Sequence, residues 1–270
     1  MPIQNKKMTV PRFLGRKGDG PPLVVLTAYD APSARAAEAG GVDALLVGDS
    51  LGNVLLGYDS TLPVTMDEML HHVRAVGRVR ERALLIADMP WMSYHVNPED
   101  SLRNAARFVL DGGVDAVKLE GGTNRLPAIH AMLDAEIPVM GHLGLTPQSV
   151  LRMGGYRVQG RREKQAEELL RDARALADSG VFSIVLEGVP AELGRRITEE
   201  VDVPTIGIGA GMHCDGQVLV YHDLLGMLPD PSPKFVRRYA GILDAQIEAI
   251  QRWSADVRER TFPAEDETYR

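Results

Sequence analysis

The sequence predicts an α/β fold of the (β/α)8 TIM-barrel class, formed by a single domain, and three observations support that prediction. Eight short apolar runs are spread along the 270 residues, and a helical pattern separates most of them. Strict alternation of strands and helices requires parallel pairing with right-handed crossovers. Eight such units closed into a barrel occupy about 250 residues. An open doubly wound sheet is disfavoured, because no Gly-x-Gly-x-x-Gly fingerprint follows the first run.

The predicted strands are short apolar segments, and most of them end at a glycine or a polar side chain. They lie at residues 23–27, 44–48, 84–88, 116–120, 138–141, 183–187, 205–208 and 217–221. The second strand is typical of the set, because its first four residues are all apolar, as in a strand buried on both faces. The run stops abruptly at Gly48, which marks a turn.

Helices are predicted between the strands from capping signals and apolar stripes. Asp30 is placed as the N-cap of one helix, and Gly40 ends it. Thr65 and Glu68 have the spacing of a capping box at the start of another. The helices are placed at residues 8–17, 31–39, 65–76, 97–112, 123–135, 162–179 and 191–200, with a final amphipathic helix from Ser232. A short N-terminal helix and a C-terminal helical extension therefore flank the barrel.

Two segments depart from the regular barrel pattern. Residues 143–161, after the fifth strand, form a long connection with glycines at 154, 155 and 160. A loop of this length and composition at a strand exit is often a mobile cover over a site, so we expect a lid. We place the barrel domain at residues 1–254, and we expect the charged tail at 255–270 to be flexible.

Composition and charge limit the partners and the compartment of the chain. The formal net charge of −7 argues against nucleic acid or an anionic membrane as a partner, because both bind basic surfaces. No apolar run approaches the ~20 residues of a membrane helix, and residues 1–17 lack the ~7–15-residue apolar run of a signal peptide. The single cysteine, Cys214, cannot form an intrachain disulfide. We therefore expect a cytoplasmic protein.

Several predicted strands end in a side chain that can take part in chemistry. These residues are Asp49, Ser50, Asp88, Lys118, Glu120, His142 and Glu187. Active sites of such barrels lie at the carboxyl ends of the strands, so we expect these side chains to converge at one end. Each acid could instead cap a helix or a turn, which is the commoner role of an isolated carboxylate at such a position.

Three of the acids suggest a metal site. Asp49, Asp88 and Glu120 offer hard oxygen ligands, and the neighbouring positions contain neither a cysteine nor a histidine pair. This ligand type selects against Zn²⁺ and favours Mg²⁺, which binds one or two carboxylates together with water and substrate oxygens. A structural role for each of the three acids stays open at this point.

The remaining polar residues fit either a catalytic or a structural role. Lys118 points into the barrel if its two neighbours face the helices, and a lysine buried there needs an anionic partner. That partner is either a substrate carboxylate or a structural acid. Glu187 ends an apolar run, and a raised pKa would suit it to act as a general base. A lone histidine such as His142 is more often structural than catalytic.

Eight motifs distributed over residues 8–253 resemble those of one enzyme family. They are Thr27-Ala-Tyr-Asp30, Val47-Gly-Asp-Ser-Leu-Gly52, Ala87-Asp-Met-Pro90, Val117-Lys-Leu-Glu-Gly-Gly122, Gly141-His-Leu-Gly-Leu-Thr-Pro-Gln148, Gly154-Gly-Tyr-Arg-Val-Gln-Gly160, Val185-Leu-Glu-Gly-Val-Pro190 and Ile206-Gly-Ile-Gly-Ala-Gly211. Each motif alone is of modest specificity, but together and in this order they are similar to the motifs of the ketopantoate hydroxymethyltransferases.

The resemblance implies an activity, ligands and site residues. The activity is transfer of a hydroxymethyl group from 5,10-methylenetetrahydrofolate to 3-methyl-2-oxobutanoate. The product is 2-dehydropantoate, for pantothenate and coenzyme A biosynthesis, and the intermediate is an enolate stabilised by Mg²⁺. The implied site places Mg²⁺ on Asp49, Asp88 and Glu120, the keto acid beside Asp49, Ser50, Asp88, Lys118 and His142, and the proton acceptor at Glu187. The family also implies a large cytoplasmic homo-oligomer, usually a decamer.

Two other functions remain possible on the sequence. A carbon–carbon lyase or phosphonomutase of the isocitrate-lyase type could use the same barrel, but it needs a phosphate site or a reactive-cysteine loop, and the sequence indicates neither. A non-catalytic barrel that binds a small molecule would leave the acids at the strand ends unexplained. A folate-dependent turnover assay with 3-methyl-2-oxobutanoate separates the three functions.

Overall fold

The computed structural model describes residues 6–269 and contains two compact units. The first unit ends at Val220 and is a closed (β/α)8 barrel, as the sequence predicts. The second unit begins at Tyr221 and contains the last long helix. The predicted domain limits, 1–254 and 255–270, differ from this division, and the flexibility of the tail stays a prediction. Within the described residues, no helix is long and apolar enough to cross a membrane.

The barrel consists of eight parallel strands that follow one another in chain order. They are β1 Leu23–Thr27, β2 Ala44–Val47, β3 Leu84–Asp88, β4 Ala116–Glu120, β5 Val139–Gly144, β6 Ser183–Glu187, β7 Thr205–Ile208 and β8 Gly216–Leu219. β8 pairs with β1 and closes the sheet. β5 extends three residues beyond its predicted end, because Gly144 still pairs with Glu187 of β6.

Helices lie between successive strands from β1 to β7, as the alternation predicts, and others precede β1 or follow β8. They are α1 Val10–Leu14, α2 Ala31–Ala39, α3 Leu51–Val54, α4 Met66–Gly77, α5 Pro98–Gly112, α6 Leu126–Asp134, α7 Val150–Met153, α8 Glu163–Ser179, α9 Ala191–Glu200, α10 Tyr221–Leu224 and α11 Ile242–Glu259. The predicted caps are present: Asp30 accepts a hydrogen bond from the N–H of Ser33 at 2.7 Å, and Thr65 and Glu68 form a capping box.

Two predicted helices begin or end at other residues than expected. α1 stops at Leu14 because the chain turns at Gly15, where the prediction extended the helix to residue 17. α11 begins at Ile242 and not at Ser232. The backbone N–H groups of Tyr239 and Ile242 donate to carbonyls in the segment 224–225 of the same unit, so they are not available for helical bonds.

The core of the barrel is apolar and closed at the amino end of the strands. Inward-pointing residues of all eight strands meet there, among them Val25, Leu46 and Ile86. Phe13 of α1 is fully buried, and its ring packs edge-to-face on Phe182 with 5.6 Å between the centroids. Because Phe182 directly precedes β6, this aromatic pair fills the amino end and leaves the carboxyl end for polar side chains.

Candidate active site

The two-residue alternation of the strands turns polar side chains into the barrel at its carboxyl end. Ala116 and Met140 lie in the core, so residues two positions further along point inward as well. The inward-pointing polar residues are Asp88, Lys118, Glu120, His142 and Glu187. Asp49 follows β2 and joins them, with its backbone N–H 3.4 Å from Asp88 Oδ2. The structure therefore brings together all the acids, the lysine and the histidine that the sequence singled out.

Lys118 and His142 stand at the centre of this cluster. The Nζ atom of Lys118 lies 2.9 Å from Asp88 Oδ1 and 3.2 Å from His142 Nδ1. The imidazole of His142 spans two acids, with Nδ1 3.5 Å from Glu120 Oε1 and Nε2 3.2 Å from Glu187 Oε2. The side chain of Glu187 is 17% exposed, whereas the other four are buried. Glu187 is therefore the least buried acid of this group.

Both nitrogen bases of the cluster are cations at neutral pH. Burial lowers the pKa of Lys118, but the nearby carboxylates, Asp88 foremost, outweigh it and raise that pKa to about 12. Burial and the Lys118 charge lower the pKa of His142, whereas its contacts with Glu120 and Glu187 raise it to about 9. The close approach of the two cations is tolerated because carboxylates surround them.

The ionised form of Asp49 is disfavoured by its surroundings. Burial raises its pKa well above the usual range of an aspartate, and the charges of Asp88 and Glu120 add to that effect. Lys118 and a hydrogen bond from Gln148 oppose it without cancelling it. Ionised Asp49 is therefore destabilised by like charge, and a bound cation would relieve this repulsion.

The donor set fits a hard divalent cation held by two carboxylates. Asp88 Oδ1 is buried and lies 2.9 Å from the Lys118 ammonium, with which it forms an ion pair. Glu120 is engaged elsewhere, since its Oε2 accepts the backbone N–H of Gln148 at 3.0 Å. Over residues 6–269, no group of three or more His, Cys, Asp or Glu side chains is arranged to hold a metal. Asp49 and Asp88 alone suit Mg²⁺, which completes its shell with water and substrate oxygens.

Gln148 connects the acids of the cluster to one another, and sequence reasoning gave it no role. Its Nε2 donates to Asp49 Oδ2 at 2.8 Å and to the carbonyl of Met89 at 2.9 Å. Its Oε1 accepts a hydrogen bond of 2.5 Å from the hydroxyl of Tyr94, and that hydroxyl lies 3.2 Å from the backbone N of Glu120. The only signal in the sequence was the position of Gln148 at the end of a motif that also contains His142.

Ser50 lies at the edge of the cluster. Its Oγ is 2.8 Å from the hydroxyl of Tyr29. Gly48 leaves room for this arrangement, because a Cβ there would lie 2.9 Å from Ser50 Oγ. Ser50 is thus held next to Asp49 at the exit of β2, where a small ligand bound to the acids would meet it.

A cavity of about 1310 Å³ opens next to the acid cluster and is covered by the long connection after β5. Glu120 lines its inner end, and Tyr156 of the connection lines its outer wall. Burial raises the pKa of Tyr156, and the charges of Asp49, Glu187 and Glu120 raise it further. The mobility of this lid stays a prediction.

The base of the lid is fixed to the barrel by backbone bonds. The N–H of Leu145 donates to the carbonyl of Glu187 at 2.7 Å, and the N–H of Gln159 donates to that of Gly188 at 2.9 Å. Between these points α7 ends at Gly154, whose φ of 67° is the left-handed conformation of a helix C-cap. The lid therefore has fixed ends and a short helix between them.

A closed barrel with buried acids, a lysine and a histidine at the carboxyl ends of its strands has the architecture of a barrel enzyme. The chain belongs to the ketopantoate hydroxymethyltransferase family, whose model matches residues 7–265. It is 54% identical over 264 residues to the 3-methyl-2-oxobutanoate hydroxymethyltransferase of Trichlorobacter lovleyi, covering 98% of this chain and 99% of that protein. A relative of the same name from Pelobacter propionicus is 53% identical over 269 residues, covering 100% of both. The family resemblance of the motifs is therefore confirmed.

Solved structures with a similar fold include enzymes of other activity. Phosphoenolpyruvate phosphomutase from Streptomyces platensis subsp. rosaceus aligns with a TM-score of 0.62 at 15% identity, covering 97% of this chain and 92% of that one. At this identity the likeness supports the barrel fold and nothing finer.

Proposed function

We propose that the protein transfers a hydroxymethyl group from 5,10-methylenetetrahydrofolate to 3-methyl-2-oxobutanoate, giving 2-dehydropantoate in the route to pantothenate and coenzyme A. Membership of the family and relatives above 50% identity over nearly the whole chain support this activity. The observation that carries the mechanism is the contact of Glu187 with His142, beside the Asp88–Lys118 ion pair.

The keto acid is bound by the buried end of the cluster. Asp49 and Asp88 would hold Mg²⁺, which when bound polarises the keto carbonyl as a Lewis acid. Glu120 adds negative charge but is held by Gln148 and His142, so its predicted role as a third ligand is best met through water. The ammonium of Lys118 offers a fixed positive charge to the substrate carboxylate and to the oxygen on which charge develops. Ser50 closes this pocket at the exit of β2.

Proton removal falls to Glu187. Its side chain is 17% exposed, and His142 Nε2, 3.2 Å from Oε2, orients the carboxylate. Glu187 accepts the proton of substrate C3, and the electron pair left on C3 forms the new carbon–carbon bond to the one-carbon unit. Both carbon–nitrogen bonds that held this unit on the folate break, a water molecule supplies the hydroxyl oxygen, and tetrahydrofolate leaves with a proton on N5 and on N10. His142 accordingly acts as a positioning residue for the base, and its Nδ1 lies 3.5 Å from Glu120 Oε1.

The competing functions are less well supported. A lyase or phosphonomutase shares the fold, but relatives at this identity carry the transferase name. A reactive cysteine would have to be Cys214, which is buried and precedes β8 at the amino end of the barrel, far from the acids in topology. A barrel that only binds a ligand would not need a carboxylate base held by a histidine.

We also propose that the protein acts as a cytoplasmic homo-oligomer, a decamer as the family resemblance implies. Helix α11 supports self-association, because Ile247, Ile250, Trp253 and Val257 leave 43–60% of their surface exposed. Light scattering coupled to size exclusion should give a mass several times that of the 29.5 kDa chain. A monodisperse monomer at micromolar concentration would contradict this proposal.

The activity is tested by turnover with defined substrates. We expect 2-dehydropantoate to form only when 3-methyl-2-oxobutanoate, 5,10-methylenetetrahydrofolate and Mg²⁺ are all present. Phosphoenolpyruvate, the substrate named for the phosphomutase of similar fold, should give no phosphonate product. Phosphonate formation without folate-dependent turnover would favour the alternative activity.

A further inference from the structure

A chain of hydrogen bonds joins the exits of four neighbouring strands beside the acid cluster. Its two connecting side chains are Tyr94, in the loop after β3, and Gln148, in the segment after β5, and both are buried. The hydroxyl of Tyr94 bonds to the backbone N–H of Glu120 and to Gln148 Oε1. Gln148 Nε2 bonds in turn to Asp49 Oδ2 and to the carbonyl of Met89. The chain therefore runs from the end of β4 to Asp49 at the exit of β2.

The chain begins where the backbone ladder between β3 and β4 opens. The N–H of Met89 still donates to the carbonyl of Lys118 at 2.8 Å. A continued parallel ladder would next pair the N–H of Glu120 with the carbonyl of Met89. Instead, the Glu120 N–H donates to the hydroxyl of Tyr94, and the Met89 carbonyl accepts from Gln148 Nε2. Two side chains thus satisfy the two backbone groups that the ladder would have paired.

The backbone groups fix the direction of every hydrogen bond in this chain. A backbone N–H can only donate, and a carbonyl can only accept. The oxygen of Tyr94 therefore accepts from Glu120, and its single proton donates to Gln148 Oε1. The amide of Gln148 is consequently held with its oxygen towards Tyr94 and its NH2 group towards Met89 and Asp49. A flipped amide would place Oε1 against two acceptors, the Met89 carbonyl and the Asp49 carboxylate.

The position of Tyr94 is fixed by contacts of its own loop. The hydroxyl of Ser93 donates to the carbonyl of Pro90 at 2.7 Å, and Asn104 of α5 donates to the carbonyl of Ser93 at 2.8 Å. The guanidinium of Arg125 lies over the ring of Tyr94, 5.3 Å from its centroid. The hydroxyl of Tyr94 is therefore a fixed reference point for the Gln148 amide.

We propose that Tyr94 is a positioning residue for the metal site, because its hydroxyl orients the Gln148 amide and this amide holds Asp49 for the cation. This inference rests on the proposed function, which supplies Mg²⁺. Asp49 lies just beyond the last residue of β2, and Gln148 supplies the side-chain donor that holds its carboxylate. Without the Tyr94 proton, Gln148 Oε1 is buried without a donor, and this cost favours other positions of the side chain.

Tyr94→Phe tests the hydroxyl alone, because it removes one oxygen atom and keeps the aromatic ring. Calorimetry should show Mg²⁺ binding about tenfold weaker, since outer hydrogen bonds to metal ligands typically contribute about 10–100-fold. At saturating Mg²⁺, kcat should stay within about twofold of wild type, because only binding of the metal is weakened. A purely structural role for the hydroxyl would lower the melting temperature and leave the Mg²⁺ affinity unchanged.

Tyr58→Phe is the matched control for loss of a tyrosine hydroxyl. The hydroxyl of Tyr58 also donates a hydrogen bond of 2.5 Å to a side chain, Glu68 Oε1, which belongs to the capping box of α4. We expect this variant to keep the wild-type Mg²⁺ affinity. An equal loss of affinity in Tyr58→Phe would overturn the assignment to Tyr94.

A double variant tests whether Tyr94 acts through Gln148. Independent residues multiply their effects on affinity, whereas residues of one hydrogen-bonded chain do not. Gln148→Met should weaken Mg²⁺ binding by about 10–100-fold, and adding Tyr94→Phe should change it by less than about twofold further. Wild-type Mg²⁺ affinity in Tyr94→Phe, or multiplied effects in the double variant, would overturn the inference while wild-type turnover left the proposed function intact. A wild type that neither bound Mg²⁺ nor turned over would overturn the proposed function itself.

Discussion

The two ends of the barrel use acidic side chains in opposite ways. At the amino end, three aspartates directly precede strands and cap the strand next to them. The bonds run from Val24 N to Asp43 Oδ2 at 2.9 Å, from Leu85 N to Asp115 Oδ2 at 3.0 Å, and from Thr205 N to Asp215 Oδ2 at 2.8 Å. Cations complete two of these sites: Arg80 lies 2.8 Å from Asp115, and Lys17 lies 2.9 Å from Asp215.

Glu38 shows the same principle with a buried glutamate. Its two carboxylate oxygens accept the backbone N–H groups of residues 81, 82 and 83 at 2.7–2.9 Å, just before β3. At the carboxyl end, in contrast, Asp49, Asp88 and Glu120 repel one another and share too few donors. The acids at the amino end stabilise the fold, because backbone N–H groups and cations compensate their charge. The acids at the carboxyl end have fewer hydrogen-bond donors than their charge requires, which suits them to bind a ligand.

The largest loss of turnover is expected when one of the repelling carboxylates at the carboxyl end is neutralised. Asp49→Asn should lower turnover by about a thousandfold or more, because the metal loses one of two direct ligands. The same variant should raise the melting temperature of the metal-free protein. The folded state raises the pKa of Asp49, so its ionised form costs stability at neutral pH, and an amide removes that cost.

Calorimetry of Mg²⁺ binding checks the loss of the metal ligand, and thermal unfolding without metal checks the rise in melting temperature. Asp115→Asn is the matched control at the amino end, and it should keep both Mg²⁺ affinity and turnover. Near-normal Mg²⁺ affinity in Asp49→Asn would show that the metal lies elsewhere. A fall in its melting temperature would show that the repulsion is already relieved within the protein.

A second large effect is expected at the proton-transfer step. Glu187→Gln should bind Mg²⁺ and keto acid almost normally, since amide and carboxylate have similar shapes. Loss of a general base typically costs 10²–10⁴-fold in rate, so exchange of the C3 proton of 3-methyl-2-oxobutanoate with D2O should fall by about that factor. The exchange is followed by NMR without folate, which separates enolisation from carbon transfer. Glu38→Gln is the control. Exchange at the wild-type rate in Glu187→Gln would show that another group is the general base.

A substitution of Gln148, which holds Asp49 at the carboxyl end, is expected to weaken Mg²⁺-dependent turnover by an intermediate amount. Gln148→Met keeps the length of the side chain and its backbone N–H to Glu120, but it removes the donor to Asp49. Loss of a supporting hydrogen bond to a metal ligand typically costs about 10–100-fold in metal affinity or activity. We expect the Mg²⁺ concentration for half-maximal turnover to rise accordingly. Gln217→Met, on the outer face of β8, is the control, and an equal rise there would mean that the effect is not local.

The sequence predicts the barrel well because its strands are nearly pure apolar runs bounded by turns. It predicts the site less completely, since contacts such as those of Gln148 with Asp49, Met89 and Tyr94 join loops that are distant in the sequence. The predicted start of α11 was wrong for a related reason, because the backbone N–H groups of Tyr239 and Ile242 donate to the carbonyls of residues 224 and 225. Local patterns carry information on strands and caps, and they carry little on bonds between segments.

The smallest effect on catalysis is expected from a substitution at the amino end of the barrel. It tests whether the acids at that end affect stability without affecting turnover. Asp115 and Asp49 look alike in the sequence, since both are aspartates next to a buried strand; one precedes β4 and the other follows β2. Asp115→Ala removes the acceptor of the Leu85 N–H and the partner of Arg80, so it should cost about 1–3 kcal/mol in the free energy of unfolding. Because Asp115 lies at the opposite end from the acid cluster, kcat/KM of the folded enzyme should stay within twofold of wild type. Urea unfolding and steady-state kinetics on the same preparation check both numbers. A loss of kcat/KM above about tenfold would mean that a change at the amino end alters the acid cluster at the carboxyl end. The structural role of Asp115 and the functional role of the acid cluster would then not be independent.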